Sequence, residues 1–473
     1  MAPNLRLLLL PVFIFILALI LRVYHLPSRY SFTADEEYQS TYARTIINDF
    51  HPVWIGVSAG DTGFYLGPYF TYFTAFWLAL SHGDPLLTAY VAAILGSVTC
   101  VLLYFLGKAI AGSKVGTLSA LFYALSPLLI YHDQRYWNPS PSALLSVLLL
   151  LSLIKLKDSS WWLLVIAFCL GAFWHVHLSL VPLSLVAIYG IWKNRAIITP
   201  KVWLISFVVF IAMLAPLFIF DYYHGWSNLS TPLRLLSRES RGTQALSHLS
   251  SLGQTLARTL YLSPGTDPAM EIRPGQPGSL WTAPSFAFTV LALIGLLIPT
   301  GNIYLSLTLV LMALSYIFYP GMVAPYYLLA LLPIYLLVLS RLFVRLRLGY
   351  FTLLIFAVLS LRTILATDEH FGLAAKHDLI TQVTQFVGGN NFSLSEEGTN
   401  HKYGGWRYLF SVYGQYPVSS SADASLAWLY PAELGGSAQY QVLVGATSEF
   451  ESPVDSLAVY RSGGYTAVIT YAK

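Results

Sequence analysis

The chain alternates long apolar runs with short polar breaks, beginning with "LRLLLLPVFIFILALILRVYHL" at residues 5–26. A helix that crosses a bilayer needs about 20 apolar residues, and by that measure about eleven segments qualify. They lie near 5–24, 86–107, 115–131, 140–154, 161–176, 178–192, 202–220, 282–299, 303–319, 323–340 and 350–366. The first run is too long for a signal-peptide core and no small-x-small cleavage site follows it, so it predicts an uncleaved first spanning helix. "LGPYFTYFTAFWLAL" at 66–80 is apolar but short and aromatic, which suits a helix lying along the membrane surface.

The charges orient this pattern. Arg6 precedes the first span, and Lys108, Lys114, Lys155, Lys157, Lys193, Arg195, Lys201, Arg341, Arg345 and Arg347 fall in alternate short connections. The positive-inside rule places these in the cytoplasm. Four polar segments are then extracytoplasmic: loops 25–85, 132–139 and 221–281, and the tail 367–473. The tail turns to Gly, Ser, Asn and Gln around the strand-like runs "QYQVLVGA" and "YTAVITYA", which predicts a small outer α/β domain. Residues 1–366 form the transmembrane domain in this reading, with a cytoplasmic N-terminus and an extracytoplasmic C-terminus in a multi-pass plasma-membrane protein.

Composition narrows the function classes. With 56% hydrophobic and 10% charged residues, the chain lies far from soluble globular usage. The net charge of +4 is scattered, and no basic run is dense enough for nucleic acid. Cys100 and Cys169 both lie inside apolar spans, so neither a disulfide framework nor a cysteine-ligated zinc is available.

Four clusters could carry chemistry. In "FTADEEYQSTYARTIIN", residues 32–48, three carboxylates (Asp35, Glu36 and Glu37) stand together at the mouth of a span, in a chain with 22 acidic residues among 473. Thr33 and Glu36 have capping-box spacing, and acids in a first helical turn complement the helix dipole. Asp35, Tyr38, Gln39, Tyr42 and Ile46 also follow helical spacing, which predicts a half-buried Asp35 placed to act as a base at the membrane surface. "SPLLIYHDQRYWNPSPSALL" packs His132, Asp133 and Arg135 into one outer turn. Ionisable residues at span ends can simply snorkel, but an arginine fixed in so short a loop is also a fork for phosphate. "FWHVHLSL" carries His175 and His177 at i and i+2, a spacing that disfavours joint metal ligation, and a buried, hydrogen-bonded histidine is the commoner outcome. Arg234, Arg238 and Arg241 form a basic helical face in the 221–281 loop.

The order of these segments resembles the bacterial dolichyl-phosphate-mannose-protein mannosyltransferase-like family of membrane glycosyltransferases. The stretches that carry the resemblance are the Asp-Glu pair opening the first outer loop, "FYLGPYFTYF", "SPLLIYHDQRYWNP" and "HVHLSLVPL". The resemblance covers about residues 5–200 and implies the GT-C fold, with a polyprenyl-phosphate sugar as donor. It implies Asp35 as the catalytic carboxylate with Glu36 its neighbour, and Arg135 at the donor phosphate. Asp133, His177, Asp61 and Tyr42 are supporting candidates. This chain has "DTGFYLGP" where relatives carry a lysine before the second span, so phosphate contact and a divalent metal stay open, and no cofactor is assigned.

The expected activity is inverting transfer of a sugar from an undecaprenyl- or dolichyl-phosphate carrier to a lipid, polysaccharide or protein acceptor outside the membrane. The donor's tail must stay in lipid while its sugar meets a polar acceptor in water, which puts catalysis at the interface. The alternative is a transporter or flippase of lipid-linked saccharides. Transporters place ionisable residues near the bilayer midplane and often show internal repeats, whereas here polar mass gathers on one side. A scaffold or sensor using the tail as a binding module is a third reading, and it leaves Asp35 and Arg135 unexplained.

Overall fold

The computed structural model describes residues 3–231, 234, 244–264, 283–397, 404–422, 426, 429, 437–449 and 456–472. Each of the eleven apolar segments contains a helix: α1 (Pro3–Val23), α5 (Leu86–Ala111), α6 (Ser113–Leu125), α8 (Ser142–Lys155), α9 (Trp162–Val176), α10 (Leu183–Asn194), α11 (Pro200–Tyr223), α13 (Ala283–Gly295), α14 (Ile303–Ile317), α15 (Leu332–Arg345) and α16 (Gly349–Leu365). The outer connections add α2 (Leu26–Arg29), α3 (Ala34–Asn48), α4 (Tyr69–Leu80) and α12 (Gln244–Leu260). The short aromatic run at 66–80 is therefore helical, as its pattern predicts.

Among the described residues only α5 and α11 are individually long and apolar enough to cross a membrane. The expected third span is broken. Ser126 is extended and Pro127 opens α7 (Pro127–Asp133), so α6 and α7 meet at a bend of 69° and together make at most one more crossing. Proline removes a backbone donor and disfavours helical geometry in the residue before it, which locates the break at this pair. The break also turns the residues after it away from a straight span end.

In the bundle, α5 packs against α1, α6 and α8. The α5–α6 contact depends on two small residues, since a Cβ on Gly107 would lie 2.7 Å from the Gly116 Cα. Close backbone approach of this kind is how helices associate where no aqueous driving force separates them from lipid. A large apolar core runs through these helices and α9, α10, α14 and α15.

Within that core sits one fully buried ion pair. Arg22, at the end of α1, donates through Nη2 at 2.7 Å and Nε at 2.9 Å to Asp133 Oδ2. Gln134 Nε2 donates to the Arg22 carbonyl at 2.8 Å, and the Tyr123 hydroxyl reaches Asp133 at 3.4 Å. The pair ties α7 back onto α1. Removing one partner of a buried pair leaves a stranded charge, so Asp133→Ala is expected to cost about 3–5 kcal/mol, read as a lower thermal unfolding midpoint in detergent. The double variant Arg22→Met/Asp133→Leu should recover most of the loss. A parent-like midpoint in the single variant would show that the pair carries little.

The tail forms α17 (Leu373–Val387), β1 (Phe392–Glu396), α18 (Trp406–Tyr413), β2 (Ser419–Ser420), β3 (Tyr440–Ala446), β4 (Ala458–Ser462) and β5 (Tyr465–Tyr471). Sheet order is β2-β1-β3-β5-β4, parallel for β2-β1-β3 and antiparallel for β3-β5-β4. The two strand-like runs became β3 and β5 at the centre. Val442, Val444, Ala467 and Ile469 point into a core that also contains Leu26, Tyr30 and Phe32 of the first outer loop and Ala89 of α5. The tail thus shares its core with the segment that leads into α3.

Candidate active site

The helix that carries the three carboxylates starts where the sequence predicts. Thr33 is its N-cap, and the Thr33 N–H donates to Glu36 Oε2 at 2.9 Å, with the Thr33 hydroxyl bonded to the same oxygen. The capping box is therefore present, but it uses only Glu36. Glu37 is buried on a neighbouring face and accepts the Tyr408 N–H of α18 at 3.1 Å. Asp35 corrects the expectation of half-burial, since its side chain is 67% exposed. The buried residues of α3 are Ala34, Glu36, Glu37, Gln39, Ser40, Thr41 and Ala43, with Arg135 and α18 as partners of Glu36 and Glu37; of the predicted face Tyr38, Tyr42 and Ile46 are half-buried and Asp35 alone is exposed. From Leu26 to Ile46, Asp35 is the one exposed residue.

Arg135 meets this helix from the short outer loop. Its Nε lies 3.0 Å and its Nη2 2.9 Å from Glu36 Oε1, and Nη2 is 3.2 Å from Thr33 Oγ1 and 3.9 Å from Asp35 Oδ2. The guanidinium carbon stands 3.9 Å over the Trp137 ring, and the side chain is 11% exposed. Ser140 closes the loop by donating to the Arg135 carbonyl at 2.7 Å and accepting the Trp137 N–H at 2.9 Å. Burial works against the charge of Arg135, but Glu36 and Asp35 beside it outweigh that and hold its pKa above the ordinary range.

The outer turn read as one cluster is in fact divided. Asp133 faces Arg22 inside the bundle, so its role is in the fold and it stands apart from Asp35. His132 is buried in the field of Arg135 and Arg258, and neither ring nitrogen has a hydrogen-bond partner among the described residues. Only Arg135 reaches α3. The 69° bend ahead of these residues sends adjacent side chains to different neighbours.

His177 lies at the edge of the same region. It accepts the Ser179 N–H at 3.2 Å and pairs with the Ser179 hydroxyl at 2.8 Å, and its ring centroid is 5.0 Å from Tyr327 and 5.7 Å from Tyr326. Burial pushes its pKa down to about 4, which keeps it neutral near pH 7. His175 is the buried, hydrogen-bonded histidine of the pair: the Tyr69 N–H donates to Nδ1 at 3.2 Å, and Nε2 meets the Met213 carbonyl at 2.7 Å. A Cβ on Gly67 would come within 2.1 Å of that ring, so only glycine fits there.

Tyr42 packs half-buried with Tyr38 beside Val57, Phe64 and Leu66, two helical turns beyond Asp35. Asp61 sits in a short 3-10 turn, Gly60–Thr62, and its side chain lies outside the described residues. Arg234 donates to the Ser227 carbonyl at 2.7 Å, while Arg238 and Arg241 lie outside the described residues. Among the described residues no group of three or more His, Cys, Asp or Glu side chains could hold a metal. Glu36, next to Asp35 in the chain, has both oxygens engaged by Thr33 and Arg135, so the pair does not present a cation cage.

The region also contains residues that the sequence reading passed over. The Tyr326 ring lies 4.5 Å from that of Trp137, tilted by 60°, in the field of both Asp35 and Arg135; Tyr327 adjoins it at 4.8 Å. Arg258, in the last turn of α12, adds a buried cation beside His132. The tyrosine pair in "APYYLL" was the available signal, two amphipathic rings at the start of an apolar run.

The sequence model of the dolichyl-phosphate-mannose-protein mannosyltransferase family matches residues 66–220. Over that stretch the chain carries this family's pattern. The fold extends the likeness to almost the whole chain: it superposes on ArnT from Cupriavidus metallidurans in the apo state with a TM-score of 0.56 at 14% identity, covering 97% of each chain. ArnT bound to undecaprenyl phosphate gives a TM-score of 0.52 at 15% identity, again over 97% of each. Among curated protein sequences none matches this chain. The chain has the helical fold of ArnT with a small C-terminal sheet, and the family resemblance read from its motifs is met over residues 66–220.

Proposed function

We propose that this protein is a membrane glycosyltransferase that moves a sugar from a polyprenyl-phosphate carrier to an acceptor hydroxyl at the extracytoplasmic face of the plasma membrane, with inversion. The observation that carries the reading is the exposure of Asp35, the one exposed residue on a segment otherwise buried or half-buried, 3.9 Å from a fixed guanidinium. A base must reach its proton and a leaving phosphate needs a cation near it, and this pair offers both. The family pattern, and the fold shared with a protein seen bound to undecaprenyl phosphate, support the donor class.

In the proposed step the acceptor oxygen attacks the anomeric carbon as its proton passes to the Asp35 carboxylate. The bond from that carbon to the phosphate oxygen breaks, and polyprenyl phosphate departs with its electron pair. Glu36 occupies Nε and part of Nη2 of Arg135, while Nη1 makes no hydrogen bond within the described residues and can meet the phosphate. Trp137 and Tyr326 form an aromatic wall beside that point, suited to packing against a sugar face and excluding water.

The test is turnover of purified full-length protein with a panel of radiolabelled undecaprenyl-phosphate hexoses and pentoses, with and without chelator. At least one donor is expected to release undecaprenyl phosphate with inversion in the glycosylated product. Retention of configuration would remove the single-displacement mechanism, and export of intact lipid-linked saccharide from vesicles without bond cleavage would replace the enzyme by a flippase. In sealed right-side-out vesicles, a cysteine placed at Ser421 should react with an impermeant maleimide; protection there would reverse the proposed orientation.

A further inference from the structure

The segment bearing Asp35 is gripped by the tail through a lysine that no sequence motif singled out. Lys376, in the first turn of α17, is 0% exposed. Its Nζ donates at 2.9 Å to the Phe32 carbonyl and also to the Gly404 carbonyl, and it lies 5.1 Å from the ring centroids of both Trp406 and Tyr465. Stripping water from an ammonium is costly, and here two carbonyl acceptors and two aromatic faces offset that cost. The residue it holds is strained. Phe32 has a φ of 43°, a left-handed conformation that bulky side chains avoid, and a Cβ on Gly405 would lie 2.7 Å from its ring.

Other ties run between the same two parts. The Leu373 N–H donates to the Tyr30 carbonyl at 2.7 Å, Glu37 accepts the Tyr408 N–H, and Arg44 donates to Ser411 Oγ at 2.6 Å. Residues 30, 32, 37 and 44 are thus tied to 373, 376, 408 and 411. Asp35 stands between the anchored positions 32 and 37 and is left exposed. An exposed carboxylate held on a segment fixed at both ends is how a fold aims one functional group.

We infer that Lys376, a side chain of the C-terminal unit, is a positioning residue that sets the aim of Asp35 through the Phe32 carbonyl. The inference rests on the proposed role of Asp35. It makes the tail neither an appended binding module nor a passive cap, since the geometry of the reacting segment depends on it.

The experiment uses the full chain in detergent and three variants. Lys376→Met keeps the length of the side chain without its donors. Gly405→Ala presses on the Phe32 ring and on the same carbonyl with the lysine intact, at a left-handed position that strains any side chain. Val442→Ala, in β3, opens the same core without touching the grip. With the panel donor that the parent turns over, Lys376→Met and Gly405→Ala should each lower kcat by about 100-fold, the order expected for a misplacement of about 1 Å, with KM for the donor little changed. Val442→Ala should lower the unfolding temperature while keeping kcat. Amide exchange over residues 30–40 should quicken in the first two variants and not in the third. In an Asp35→Asn background, Lys376→Met should bring no further loss, because it acts only through that carboxylate. Parent-like kcat in Lys376→Met, or an equal loss in Val442→Ala, would overturn the inference, as would unchanged exchange over 30–40 in Lys376→Met. Full turnover in Asp35→Asn alone would instead remove the catalytic reading, while the exchange data still report on the grip.

Discussion

Replacing Asp35 by asparagine is expected to lower transfer by about a thousandfold, within the usual range for loss of a general base, while expression and thermal unfolding stay at the parent's values. The asymmetry follows from the structure. The Asp35 side chain is 67% exposed, and the attraction to Arg135 at 3.9 Å is weakened by solvent, so little stability is expected to depend on its charge. The amide keeps the shape and loses only the ability to accept a proton. Donor binding should persist, since Arg135 and its Glu36 partner are untouched. An Asn variant that turns over donor at the parent rate would end the assignment and leave Asp35 as a carboxylate that merely favours the start of a helix.

Its neighbour should behave in the opposite way. Glu36 is 1% exposed; one oxygen takes the Thr33 amide and hydroxyl, and the other takes two nitrogens of Arg135. Glu36→Ala strips the partner from a guanidinium that is itself largely buried, a change that typically costs about 3–5 kcal/mol. The N-cap would lose its reciprocal bond as well, about another 1 kcal/mol. The expected result is a large fall in the unfolding midpoint together with loss of transfer, whereas Asp35→Asn loses transfer alone. Glu36→Gln should fall between, since the amide can still accept from Arg135 but carries no charge. A Glu36→Ala protein of parent stability would show that the ion pair adds nothing to the native state, and would open Glu36 to a direct chemical role.

This contrast shows where sequence reading reached its limit. The Thr33–Glu36 spacing located the start of α3 and its capping box, because a cap is a contact between residues three apart. The same residues could not show that the second Glu36 oxygen would be taken by Arg135, 99 positions away. Helical periodicity grouped Asp35 with Tyr38, Gln39, Tyr42 and Ile46 and predicted that this face would be half-buried, and all of them are buried or half-buried except Asp35. Burial depends on what arrives from elsewhere, and nothing among the described residues covers the first turn of the face where Asp35 stands. His132, Asp133 and Arg135 looked like one cluster because they are close in sequence; after the bend at Ser126-Pro127, Asp133 meets Arg22, Arg135 meets Glu36, and His132 is buried with neither ring nitrogen bonded among the described residues.

Period and composition decided the class of the molecule: apolar runs of helical length, interrupted by charge on alternate sides, leave few options besides a bundle of membrane helices, since backbone polar groups in lipid must be satisfied within each segment. The order of the motifs pointed to the family, and the strand-like runs of the tail to a small sheet. What only the three-dimensional packing decided was the site. Lys376 and Phe32 are 344 residues apart, Glu37 and Tyr408 are 371 apart, and Tyr326 joins Trp137 from a different apolar run. Local pattern records how each segment buries its own apolar surface and satisfies its own backbone. It holds no record of which distant segment supplies the partner for a buried charge, and in this protein the neighbours of Asp35 are supplied almost entirely by such partners.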